Sequence, residues 1–81
     1  MILTSPAKRS LRMVPAVDIK RINAAFEEMM TEPFSGDIKI LRGTNGKIRR
    51  RVGDWRVIFA LDSDHHLIIV VELTRRASTT Y

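Results

Sequence analysis

The chain has 81 residues, no cysteine, and a net charge of +5 from 14 lysines and arginines against nine aspartates and glutamates. A chain of this size buries only about 60–65% of its extended-chain surface, enough for one domain over residues 1–81 with a thin core. The missing cysteines exclude a disulfide framework and a thiolate metal site. No apolar run approaches the roughly 20 residues that span a bilayer. The start, Met1-Ile2-Leu3-Thr4-Ser5-Pro6, lacks the basic region and long apolar core of a signal peptide. A soluble, cytoplasmic protein without a membrane partner is therefore expected.

In chain order, residues 2–4 suit a short first strand. Ser5-Pro6 supplies an N-cap followed by proline at the first helical position. The helix that follows places Ala7, Leu11 and Val14 on one face and Lys8, Arg9 and Arg12 outside. Pro15 interrupts it and restarts a second helix, with Asp18 favourably placed in the first turn. Ile19, Ile22, Phe26, Met29 and Met30 recur there at helical spacing, opposite Lys20, Arg21, Glu27 and Glu28. Met29 and Met30 read as core filler. Residues 31–37 end this helical hairpin.

From Ile38 the period changes to that of strands. Segments 38–41, 47–52, 55–61 and 67–73 alternate as β-strands, separated by turn-forming residues. Residues 67–71 are apolar on both faces, as in an interior strand covered on both sides. The whole reads as an α+β fold. A short N-terminal strand and a helical hairpin pack on one face of a small antiparallel β-sheet.

Basic character is concentrated in the sheet half. Residues 1–36 carry five basic and four acidic side chains, whereas residues 37–81 carry nine and five. An anionic partner is implied, whether nucleic acid, membrane surface or acidic protein.

The segment Lys47-Ile48-Arg49-Arg50-Arg51-Val52-Gly53-Asp54-Trp55-Arg56 sharpens that expectation. A two-residue Gly53-Asp54 loop pairs Val52 with Trp55, Arg51 with Arg56 and Arg49 with Ile58. Alternation then sends Lys47, Arg49, Arg51 and Arg56 from one face. Like charges in directly opposed positions cost some tenths of a kcal/mol to about 1 kcal/mol, which a bound phosphate would offset. Ile48, Val52, Trp55, Val57 and Phe59 fall on the other face and can pack under the helices. Arg50 breaks this alternation, either by snorkelling from an edge strand or by marking a bulge. Glu72 is placed to neutralise Arg56 if the last hairpin brings it alongside.

Trp55 points to the core rather than to a base-stacking position. His65 and His66 lie in a polar turn away from the basic face and read as surface residues, without metal-ligand spacing. Arg75-Arg76 follows the last strand and can return to the basic face. Tyr81 either frays or folds back over it.

These residues resemble the RelE/ParE toxin superfamily, the toxin half of bacterial toxin–antitoxin pairs. The resemblance is carried by Gly36-Asp37-Ile38-Lys39-Ile40-Leu41-Arg42-Gly43 and by the stretch from Ile48 through Val52-Gly53-Asp54-Trp55-Arg56 to Phe59. The strand–helix–helix–meander order and a basic tail ending in tyrosine match as well. RelE-like members are ribosome-dependent endoribonucleases that cut mRNA in the ribosomal A site without a metal. The 2′-hydroxyl attacks the adjacent phosphate and leaves a 2′,3′-cyclic end.

The resemblance implies catalytic roles for Arg49, Arg51, Arg56, Arg75 and Tyr81, and RNA contacts from Lys47, Arg42 and Arg76. Arginine stays protonated, so Tyr81 is the candidate base, its pKa lowered by the surrounding guanidinium groups. The implied partners are a RelB-like cognate antitoxin, the ribosome and mRNA, with no metal and no small-molecule cofactor. Many relatives place histidine where this chain has Thr74. That departure keeps two alternatives open: a ParE-like inhibitor of DNA gyrase without nuclease activity, or a basic RNA- or ribosome-binding module.

Overall fold

The computed structural model describes residues 1–75. The elements are β1 (Ile2–Leu3), α1 (Ser5–Arg12), α2 (Ala16–Thr31), β2 (Asp37–Ile40), β3 (Ile48–Val52), β4 (Trp55–Asp62) and β5 (Leu67–Arg75). The strands form one sheet in the order β1-β5-β4-β3-β2. The expected α+β architecture is present, with one refinement. β1 pairs parallel with β5, so the sheet is mixed rather than wholly antiparallel. No helix among the described residues is long and apolar enough to cross a membrane.

Helix α1 starts one residue earlier than the Ser5-Pro6 reading placed it. Thr4 is the N-cap, accepting from the Ala7 N–H at 3.4 Å while its hydroxyl donates to the Val71 carbonyl at 2.8 Å. One side chain therefore caps a helix and ties it to β5. Ala7 and Val14 are buried, and Leu11 packs against them, as the helical spacing requires.

In α2 the buried face is Ile22, Ala25, Phe26 and Met29. Met30 is a correction, because it is 57% exposed. It follows Met29 by about 100° around the helix, which turns it off the buried stripe.

The core joins these helical residues to Ile48, Trp55, Val57, Phe59, Ile68, Val70 and Leu73. β5 is interior, as read, but helices cover only one of its faces. Ile68 and Val70 are buried, whereas Leu67 and Ile69 are half-buried on the other face. A register shift between Ile58 and Phe59 leaves Val71 as an extra residue on β5. This bulge lets Val70 and Leu73 both point to the core despite their three-residue spacing. It also sets Glu72 beside Ile58 and Thr74 beside Arg56, so Glu72 does not neutralise Arg56 as the sequence allowed.

Candidate functional site

The β3–β4 hairpin has the anticipated register, pairing Arg49 with Ile58, Arg51 with Arg56 and Val52 with Trp55. Gly53 has φ +59° while Asp54 does not enter the positive-φ region, the pattern of a turn with glycine at its first central position. With Val57 and Phe59 fully buried beneath the helices, Arg49, Arg51 and Arg56 leave the uncovered face. β2 extends this face, setting Lys39 opposite Arg49 and Asp37 opposite Arg51. Lys39, Leu41, Arg49, Arg51 and Arg56 line a depression of about 300 Å³.

Within it the cations are held differently. Arg49 is half-buried and donates through Nη2 to Oδ1 of Asp37 at 3.1 Å. Its Nε is buried without a partner among the described residues. Arg51 and Arg56 are exposed, and neither forms an ion pair among the described residues. Three guanidinium groups and an ammonium around one hollow suit a phosphate, which accepts forked donors.

Arg50 points the other way. It is 7% exposed, with Nη2 ion-paired to Oε1 of Glu28 on α2 and Nη1 donating to Oγ of Ser35 at 3.1 Å. Neither snorkelling from an edge nor a bulge explains it: β3 is interior, and its pairing with β4 is unbroken. Its guanidinium passes beneath Gly36, where a Cβ would lie 2.7 Å from Cζ. Arg50 thus fastens the end of α2 and the entry to β2.

Trp55 is in the core as read, and its Nε1 donates to Oδ2 of Asp18 at 3.2 Å. Arg75 departs from its expected place on the basic face. β5 runs on to Arg75, which pairs with Trp55 and shares its face, with Cζ 5.8 Å from the indole centroid. The stacking is a cation–π contact. Thr74, one residue earlier, takes the position opposite Arg56.

Arg42 and Lys47 are exposed in and after the β2–β3 turn and do not line the depression. The Thr44 hydroxyl closes that turn, donating to the Leu41 carbonyl at 2.6 Å and accepting from the Lys47 N–H at 3.2 Å. Arg76 and Tyr81 lie outside the described residues. His65 sits in the β4–β5 turn, its ring bonded to Asp62 at 3.0 Å. Asp62 lies six positions along β4 from Arg56, about 20 Å of strand.

Sequence reasoning missed Lys39 and Asp37 as members of the site. The available signal was alternation in β2, which puts Asp37, Lys39 and Leu41 on one face once β2 is paired to β3.

No family model matches the chain. It is 30% identical over 71 residues to the putative toxin RelE1 of Methanocaldococcus jannaschii, covering 84% of this chain and 79% of that protein. It is 24% identical over 78 residues to toxin RelE of Mycobacterium tuberculosis, covering 95% and 80%. Its fold matches that of the archaeal RelE–RelB complex from Pyrococcus horikoshii with a TM-score of 0.80. That match is 23% identical and covers 95% of this chain and 93% of the solved one.

Proposed function

The chain belongs to the RelE family of toxins, and from that premise we propose that it is the toxin of a toxin–antitoxin pair. It acts in the cytoplasm as a ribosome-dependent endoribonuclease, cutting mRNA in the A site and so inhibiting translation. The observation that carries this proposal is the depression bounded by Arg49, Arg51, Arg56 and Lys39 on the uncovered sheet face.

The scissile phosphate sits in that hollow. The 2′-hydroxyl attacks phosphorus, its proton passes to a base, and the P–O5′ bond breaks as the 5′ oxygen takes up a proton. The remaining strand ends in a 2′,3′-cyclic phosphate. The phosphorane gains charge in the transition state, where fixed guanidinium groups stabilise it more than they do the ground state. Arg51 and Arg56 are the exposed donors, and Arg49 supplies a pre-positioned third. Tyr81 is assigned as the base. Arg75 contributes to the phosphate only by leaving the Trp55 indole, so here it is given a supporting role at the start of the tail. Lys47, Arg42 and Arg76 track the RNA backbone farther out.

The cognate antitoxin is RelB-like and covers the basic face. The likeness to a RelE solved together with RelB supports such a partner.

One observation favours a second reading. Thr74, directly opposite Arg56, offers a hydroxyl where a titrating base would serve. A non-nucleolytic, ParE-like inhibitor of DNA gyrase, or a plain ribosome-binding module, needs no base there. Adding purified protein to a translating extract and mapping mRNA 5′ ends separates the readings. Codon-phased cuts support the nuclease, whereas intact mRNA with blocked gyrase supercoiling supports the gyrase inhibitor.

A further inference from the structure

We propose that Asp37 is a built-in competitor for the anion that the basic face binds, making it a specificity-determining residue. The inference rests on the proposed function, because it concerns the same hollow.

Asp37 opens β2 and stands directly opposite Arg51, yet its carboxylate accepts from Arg49 on the neighbouring row. It is the one acidic side chain, among the described residues, ion-paired to a residue lining the hollow. Arg49 has little of its guanidinium to offer. Its side chain is 21% exposed and its Nε is buried, so an incoming anion meets it at the Nη edge. Asp37 occupies Nη2 on that edge, from a side chain that is 59% exposed.

The carboxylate cannot withdraw by a shift of its backbone. The preceding Gly36 is fixed at φ +77° over the Arg50 guanidinium, and residues 37–40 are laddered to β3. It yields by rotating its side chain toward solvent. An exposed pair of this kind is weak, so a phosphate displaces it rather than being shut out. Displacement still costs affinity, and the remaining negative charge repels the ligand after it is moved.

The consequence concerns selectivity. Polyanions held by charge alone, such as free RNA, meet this cost without compensation. A substrate presented with additional contacts, as mRNA is on the ribosome, overcomes it.

The test uses the full-length protein, with inorganic phosphate and a short single-stranded RNA as probes and affinities measured by titration in free solution. D37N and D37S are both expected to bind each probe about 2- to 5-fold more tightly than the unchanged chain, a gain of the size that removing an exposed, screened pair allows. In an R49A background the same substitutions are expected to give a smaller gain, because the competed edge is gone and only the repulsion by the carboxylate is relieved. Unchanged or weaker binding in D37N and D37S, with thermal midpoints within about 2 °C of the unchanged chain, would overturn the proposal and make Asp37 a residue that merely holds Arg49. The absence of phosphate binding in every variant would overturn it too. If the extract assay shows no mRNA cleavage while Asp37 substitution tightens binding, the nuclease function fails and the competitor role stands.

Discussion

Arg51 stands directly opposite Arg56 across the β3–β4 ladder, on the face of the sheet that the helices leave uncovered. Asp37 is laddered to Arg51 on its other side but bonds Arg49 instead. The two opposed arginines are therefore a local cost of folding, of some tenths to about 1 kcal/mol for like charges so placed. Replacing Arg56 with alanine is expected to raise the unfolding free energy by up to about 1 kcal/mol in urea titrations while removing RNA cleavage. A variant that gains stability as it loses activity marks a residue kept for its ligand rather than for the fold.

Arg50 obeys the opposite rule. Its guanidinium is buried and its partner Glu28 has a side chain 59% exposed, so the two ends of the pair are not equivalent. Glu28→Gln leaves a buried cation facing a neutral amide oxygen and the Ser35 hydroxyl in place of a carboxylate, and is expected to cost about 1–2 kcal/mol. This is less than the 3–5 kcal/mol for breaking a fully buried pair, because solvent screens the Glu28 end. Arg50→Met removes the buried charge and leaves Glu28 free to meet water, so it is expected to cost less than Glu28→Gln. Denaturant midpoints of the two variants decide the order.

Gly36 is the point where this clamp touches the site. An added Cβ would lie 2.7 to 2.9 Å from three atoms of the Arg50 guanidinium, at φ +77°. Gly36→Ala is expected to cost roughly 1–3 kcal/mol. Gly43→Ala has a similar φ of +71° but nothing within 4 Å of the new atom, and is expected to cost less. Thermal unfolding of both variants isolates the contribution of the Arg50 contact from that of backbone strain.

Tyr81→Phe tests the assigned base without disturbing the arginines. Loss of a general base typically removes a factor of about 10² to 10⁴. Single-turnover cleavage is expected to slow by at least the lower figure, with RNA affinity unchanged. Unaltered cleavage in this variant takes the tyrosine out of the mechanism.

The hairpin was legible because its information is local. Gly53-Asp54 sets the register, and alternating apolar residues choose which face is buried, so the positions of Arg49, Arg51 and Arg56 followed. Features that depend on distant pairing were not legible. Glu28, the partner of Arg50, lies 22 residues earlier on a helix face that reads as solvent-exposed. The bulge at Val71 moves Glu72 away from Arg56, and no residue type announces it. Arg75 was misplaced because β5 continues two residues past Leu73, which carries the side chain round to Trp55. The parallel pairing of β1 was hidden for the same reason, since a two-residue strand has too little pattern to choose a neighbour.

The most direct test of the central claim uses purified ribosomes programmed with a defined mRNA and a vacant A site. The unchanged chain is predicted to cut within the A-site codon and leave a 2′,3′-cyclic phosphate, and the cut is predicted to disappear with Arg56→Ala. Intact mRNA with the unchanged chain, or equal cleavage by Arg56→Ala, would contradict the account.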